Sequence, residues 1–221
     1  MDNSNDLKDK LWNIVCSFPI QSKYIFVPKQ FEVVKPMELF EAHYERYFLE
    51  LGSGWGEVAI ELGQKNEDAG FILMEKKISR VDFTIRKIQE FNLKNIKIIP
   101  LNFNWFLTEL FISEQFDQIL LNFPDPWPKN KHHKHRTFTV EFLDKLAYLL
   151  KTGGSFKFAT DHSPYALSVV ELFKHDPRFY YLGKEYDHSR ESFPISRFEN
   201  DSIKIGKKVY YIERIKSRIL K

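Results

Sequence analysis

From Arg46 onward the 221-residue chain alternates short apolar runs with longer stretches of helical spacing, and that alternation constrains the fold more than any other feature. Residues 47–51, 71–74, 96–101, 118–121 and 155–159 read as five buried strands. Between them, a helical pattern begins at 58–62, a long one covers 78–91, and a third covers 138–150, where Phe142, Leu146 and Leu149 fall at helical spacing. Gly153-Gly154 punctuates the chain before the fifth strand. Strands that are apolar throughout must be covered on both faces, and helices alternating with them supply the cover. The expected fold class is therefore α/β, a doubly wound, mostly parallel sheet in a single domain. That domain is expected over 46–221. Residues 1–45 precede it as a short helix over 5–17, with Leu11, Ile14 and Val15 on one face, and an irregular lead-in carrying Pro19, Pro28 and Pro36. Residues 207–215 alternate enough for a final strand.

Hydrophobic residues make up 43% of the chain, enough to bury a core and to exclude global disorder. The single cysteine, Cys16, excludes an intrachain disulfide and argues against a zinc–thiolate cluster. Met1 to Lys10 is polar, without the apolar core of a signal peptide, and no apolar run is long enough to span a bilayer. The chain reads as soluble and cytoplasmic, with no membrane partner. Its oligomeric state, monomer or homodimer, is left open. With 33 Lys and Arg against 30 Asp and Glu, the net charge of +3 does not by itself imply a nucleic-acid partner; local clustering has to carry that case.

In a doubly wound sheet, ligands bind beyond the carboxyl ends of the strands. The first strand ends in Glu50-Leu51-Gly52-Ser53-Gly54-Trp55-Gly56. Glycines at alternate positions let a backbone approach a ligand closely, although a tight strand-to-helix turn alone also uses them. The spacing is G-x-G-x-G rather than the dinucleotide G-x-G-x-x-G. Glu57 occupies the place of the third dinucleotide glycine, a poor neighbour for a pyrophosphate. Glu75, at the end of the second strand, falls where a ribose-binding acid is expected. Together these features favour S-adenosylmethionine over NAD. Glu50 is placed to attract the cationic methionyl half of that cofactor. Asn102, after the third strand, is placed to accept from the adenine amino group, or is simply a turn residue.

The fourth strand runs into Asn122-Phe123-Pro124-Asp125-Pro126-Trp127-Pro128-Lys129. Three prolines in five residues stiffen this loop and are expected to hold Asp125 beside the transferring group. Trp127 either caps the pocket or packs under the loop. Lys131, His132, His133, Lys134, His135 and Arg136 follow without an acid. A charge run alone is usually a solvated face, but one abutting the chemical site favours an anionic polymer as substrate. The three histidines lack a nearby cysteine or acid, so no metal site is expected. The basic end of the chain, Lys204, Lys207, Lys208, Arg214, Lys216, Arg218 and Lys221, either extends an RNA footprint or is a solvated face.

The stretches LELGSGWGEVA, the Glu75 strand end, NFPDPWPKNKHHKHR, Phe158-Ala159-Thr160-Asp161 and Ser196-Arg197-Phe198-Glu199 together resemble the bacterial tRNA (guanine-N7)-methyltransferase family over nearly all of 47–214. The PDPW block with its basic loop is the specific element; the glycine motif is common to many methyltransferases. The resemblance implies a Rossmann-like, S-adenosylmethionine-dependent methyltransferase that modifies guanine 46 in the variable loop of tRNA. It implies that Glu50, Glu75 and Asp125 contact or face the cofactor, with Asp125 catalytic. Lys129, Asp161 and Ser196 to Glu199 are implied to bind the substrate, and Lys131 to Arg136 to contact RNA. Asn102 departs from the family's usual Asp, and Ser196 from its usual Thr. Guanine N7 has an in-plane lone pair and no proton, so no general base is needed. Asp125 is expected to act by electrostatics and orientation, with Asp161 and Glu199 accepting from guanine N1–H and the 2-amino group.

Three other functions compete. Asn122-Phe123-Pro124-Asp125 loosely matches the Asn-Pro-Pro-aromatic motif of enzymes that methylate exocyclic amines, with an acid in place of the second proline. An RNA-binding protein with a degenerate cofactor site is disfavoured by the intact set of Glu50, Gly52, Gly54, Gly56, Glu75 and Asp125. An NAD-dependent oxidoreductase is disfavoured by the glycine spacing.

Overall fold

The computed structural model describes residues 9, 10, 12, 13, 17–28 and 33–218. Leu11, Ile14, Val15, Cys16 and Lys221 lie outside the described residues. Among the described residues, seven strands form one sheet in the order β3-β2-β1-β4-β5-β7-β6. They are β1 (Arg46–Leu51), β2 (Ala69–Met74), β3 (Ile96–Ile99), β4 (Phe116–Asn122), β5 (Leu150–Thr160), β6 (Phe179–Tyr180) and β7 (Tyr210–Lys216). The first five are parallel; β7 runs antiparallel to both β5 and β6. The helices are α1 (Glu57–Lys65), α2 (Ile78–Glu90), α3 (Phe103–Leu110), α4 (Val140–Leu149), α5 (Ser163–Lys174) and α6 (Arg197–Lys204). The apolar runs bury as a parallel sheet demands: every residue of β2 is buried, and Leu49, Ile119 and Phe156 are fully enclosed. Two hydrophobic clusters result, one on each face of the sheet.

The strand order reverses between β1 and β4, which opens a crevice above their carboxyl ends. Glu50, Asn122 and the loop after β4 therefore meet at one place, although 72 residues separate Glu50 from Asn122.

The glycine pair does not separate helix from strand as expected. β5 begins at Leu150, and its register against β4 shifts between Phe116 and Gln118. Gly153 sits at φ +81°, and a side chain on Gly154 would meet three backbone carbonyl oxygens at 2.9–3.1 Å. The pair belongs to an irregularity within a paired strand. The lead-in packs on the sheet rather than standing apart from it. Phe26 N–H donates to Ile98 O (2.9 Å), Ile98 N–H to Tyr24 O (2.8 Å) and Val34 N–H to Leu110 O (2.6 Å). Tyr24, Val34, Leu39, Phe40 and Tyr44 are buried in the two core clusters. Among the described residues, no helix is long and apolar enough to cross a membrane, and no group of three His, Cys, Asp or Glu is arranged to hold a metal ion.

Candidate active site

A cavity of about 600 Å³ opens at the switch point, lined by Glu50, Gly52, Gly54, Glu75, Asn102, Asp125, Asp161 and Ser196 among others. Residues from the ends of β1, β2, β4 and β5 and from the start of α6 thus converge on one volume, within the usual range for a small-molecule site.

The glycines divide into two roles. Gly54, at φ +61°, has open space where a Cβ would be and donates its N–H to Glu75 Oε2 at 3.0 Å. Gly56 does not line the cavity. It sits at φ +78°, and a Cβ there would lie 2.5 Å from Thr84 Cγ2, so its smallness serves the packing of α1 against α2. Glu75 is buried and held by three donors: Gly54 N–H, Lys77 N–H at 2.9 Å and Arg80 Nη1 at 3.3 Å.

Glu50 is almost fully buried. Its Oε1 accepts from Asn122 Nδ2 at 3.4 Å, and its Oε2 is buried without a hydrogen-bond partner among the described residues. Burial pushes its carboxyl up to about 8, and Glu57 adds to the effect; Asn122 and Arg190 pull the other way. Burial likewise pushes Glu57 above the usual carboxylate range against the pull of Arg197 and Arg80. A buried carboxylate oxygen lacking a donor is costly. A cationic ammonium reaching it would satisfy it, so the donor set fits the methionyl end of S-adenosylmethionine. Asn102 has a local role: it is the N-cap of α3, and its side-chain oxygen accepts from Asn104 N–H at 3.2 Å.

Asp125 is exposed at the rim of the cavity, with no hydrogen-bond or ion-pair partner among the described residues. Its loop is fixed from both sides. Phe123 and Trp127 adopt φ of 50° and 43°, sparsely populated for non-glycine residues and typical of sites where backbone strain serves function. Phe123 N–H donates to Ala159 O at 2.8 Å. Trp127 does not line the cavity. It lies parallel to His132, with ring centres 5.8 Å apart, and 5.1 Å from His135.

Two residues expected to face substrate are engaged by the protein itself. Arg136 donates from Nε to Pro126 O at 2.8 Å and lies over the Tyr165 ring at 4.9 Å, bracing the Asp125 loop rather than reaching for phosphate. Glu199 is fully buried and does not line the cavity. It pairs with Arg190 through both oxygens, accepts from Tyr211 Oη at 2.6 Å and closes a capping box with Ser196. Its acceptor capacity is spent within the protein. Asp161 remains at the cavity, with Oδ2 accepting from Ser202 Oγ (2.8 Å) and Lys207 Nζ (2.6 Å). Burial raises its carboxyl, but these two bonds outweigh that and hold it below the usual range. Phe198 lines the cavity beneath Arg80, and Arg197 lies over Trp55, so the start of α6 rests on the glycine loop. Lys129, Lys131, Lys134 and His135 are exposed, and His132 and His133 are half-buried; none of the six lines the cavity. At the basic C-terminal end, Arg214 is buried against Phe173 and Tyr181, and Lys216 binds Glu114 and Leu150 O. These two cations and Lys207 are engaged within the protein.

A doubly wound sheet with glycines after β1, an acid after β2 and a carboxylate loop after β4 defines a class: the protein is an S-adenosylmethionine-dependent methyltransferase. The methyltransferase family model Methyltransf_4 matches residues 44–212. Solved structures share the fold. One is an rRNA methylase from Streptococcus thermophilus, with TM-score 0.55 and 12% identity, covering 79% of this chain and 88% of that one. Another is an S-adenosylmethionine-dependent O-methyltransferase from Thermotoga maritima, with TM-score 0.54 and 16% identity, covering 84% and 64%. Two relatives narrow the class. A tRNA (guanine-N(7)-)-methyltransferase of Leptospira interrogans is 47% identical over 210 residues, 95% of this chain and 97% of its own length. That of Nitrosomonas europaea is 34% identical over 158 residues, 72% of this chain and 70% of its own length. The chain belongs to the tRNA (guanine-N7)-methyltransferase family.

Proposed function

We propose that the protein transfers the methyl group of S-adenosylmethionine to N7 of guanine 46 in the variable loop of tRNA, in the cytoplasm. The observation that carries this reading is Asp125 itself: it lines the cavity without a partner among the described residues, on a strained loop that runs directly into the exposed Lys129, Lys131 and Lys134. The cofactor supplies an electrophilic methyl on a sulfonium. Glu50 holds its ammonium and Glu75 its ribose hydroxyls. Asp161 accepts from the guanine edge through its less occupied oxygen. Asp125 faces the ring as positive charge moves onto it, an interaction worth most where water is excluded. N7 carries no proton, so no side chain has to remove one. Nucleoside analysis of tRNA after incubation with enzyme and S-adenosylmethionine tests the reading: N7-methylguanosine is expected, and N2-methylguanosine or no methylated guanosine would contradict it.

Two further results are expected. Glu50 rests protonated at neutral pH and must ionise to hold an ammonium. Cofactor binding therefore releases a proton between the ordinary carboxylate range and about pH 8, and the dissociation constant falls by up to about tenfold per pH unit as pH rises toward 8. The ligand-free fold shows the opposite trend. A raised folded-state value means that the contribution of this proton is complete below the unfolded-state value and is lost as pH rises through about 8. Calorimetry in buffers of different ionisation enthalpy measures the proton, and Glu50→Gln should abolish its release. For tRNA, with Arg136 engaged by Pro126 and Tyr165, the three exposed lysines of the loop give a slope of log K against log salt of about −2 to −3. Each Lys→Ala change at 129, 131 or 134 should reduce its magnitude by about one, as filter binding across salt concentrations would show.

A further inference from the structure

Arg190 lies in the segment between β6 and α6 and takes no part in the contacts described so far for cofactor or substrate. Its side chain is 13% exposed, sandwiched between the rings of Phe193 (4.5 Å) and Tyr211 (4.8 Å). Its guanidinium bonds Glu199 on one side and Asn122 Oδ1 (3.3 Å) on the other, and also Pro194 O (3.3 Å). Asn122 in turn donates to Glu50 Oε1.

We propose that Arg190 is a positioning residue that fixes the Asn122 amide, and through it the cofactor-binding carboxylate of Glu50, to the start of α6. A guanidinium only donates. Asn122 must therefore turn its oxygen toward Arg190, which leaves only its NH₂ for Glu50. That donor engages Oε1 and leaves Oε2, on a residue that lines the cavity, without a partner among the described residues. Were the amide reversed, its oxygen would face a carboxylate and repel it in the ionised form that a cationic ligand needs. The other edge of the same guanidinium holds Glu199, which caps the helix whose Ser196 and Phe198 line the cavity. One buried cation thus ties the end of β4, the cofactor acid and the substrate-facing helix together.

The inference rests on Glu50 being the acceptor for the cofactor ammonium, and calorimetry with S-adenosylmethionine tests the two separately. Wild type that fails to bind would overturn the assignment of Glu50. For Arg190, the comparison is Glu199→Gln against Glu199→Gln/Arg190→Gln: the first keeps the guanidinium without its counter-charge, the second removes both charges, and only residue 190 differs between them. A glutamine at 190 both donates and accepts and no longer dictates the Asn122 orientation. The double variant should bind S-adenosylmethionine at least tenfold more weakly than Glu199→Gln alone. Adding Asn122→Ala to the double variant should weaken binding by less than about twofold more, because the amide is already uncoupled. Asn122→Asp, isosteric and still able to accept from Arg190 but, ionised beside that guanidinium, with no donor for Glu50, should lose at least tenfold on its own. Equal affinity of the single and double Gln variants, or wild-type affinity of Asn122→Asp, would overturn the proposal.

Discussion

Asp125→Asn is expected to lower kcat by about 10²- to 10³-fold while leaving the dissociation constants for S-adenosylmethionine and tRNA within a few-fold of wild type, the size of effect seen when one preorganised electrostatic partner is removed. The substitution keeps the shape of the side chain and deletes its charge. Asp125 has no partner among the described residues, so nothing structural should be disturbed. The loop is held by Phe123 N–H on Ala159 O and by Arg136 on Pro126 O, neither of which involves the carboxylate. Positive charge moves from sulfur to the guanine ring along the reaction, so the loss should appear in the chemical step. Single-turnover kinetics with saturating substrates measure it. A wild-type rate with both ligands bound normally would remove Asp125 from the mechanism.

Glu199→Ala is expected to cost about 3–5 kcal/mol of stability, because it leaves the Arg190 guanidinium buried with its main counter-charge gone. For a chain of this length that corresponds to a fall in Tm of about 6–20 °C. The same change removes half of the capping box of α6 and the acceptor of the Tyr211 hydroxyl. A Glu199 whose role was to meet guanine would be exposed at the cavity, and its replacement would raise KM for tRNA with little change in Tm. Thermal melting alongside tRNA titration separates these outcomes, and the burial of Glu199 predicts the first.

The contrast between these two acids marks how far the sequence could be read. The place of Asp125 at the cavity was legible because its signal is local: prolines on both sides and basic residues directly after it. Glu199 carries a signal that points elsewhere, since Ser196-x-x-Glu199 is the pattern of a capping box and marks the start of α6. The helix itself escapes a periodicity reading because RFENDSIK is mostly polar. Helix α3 escapes because it is only eight residues long and its backbone is kinked at Phe106, which leaves too few turns for a period to show. Asn102, read as an adenine acceptor, is also its N-cap, the local role open to any Asn after a strand. Helix α5 was not among the expected helices, although it carries a signal: Pro164 in its first turn and Tyr165, Ala166, Val169, Val170 and Phe173 at helical spacing. The parallel strands were plain because a sheet covered on both faces needs continuous apolar runs. Arg190 had no sequence signal. Its partner Asn122 is 68 residues away, and only the pairing of β5 with β7 and the return of the chain through α6 bring them together.

The most direct test of the account is to incubate the purified protein with unmodified tRNA and labelled S-adenosylmethionine, then reduce the product and cleave it with aniline, which breaks the chain at N7-methylguanine. The account predicts cleavage at a single guanine, position 46 of the variable loop, abolished by Asp125→Asn. Label that resists aniline cleavage, or cleavage spread over guanines elsewhere in the tRNA, would contradict it.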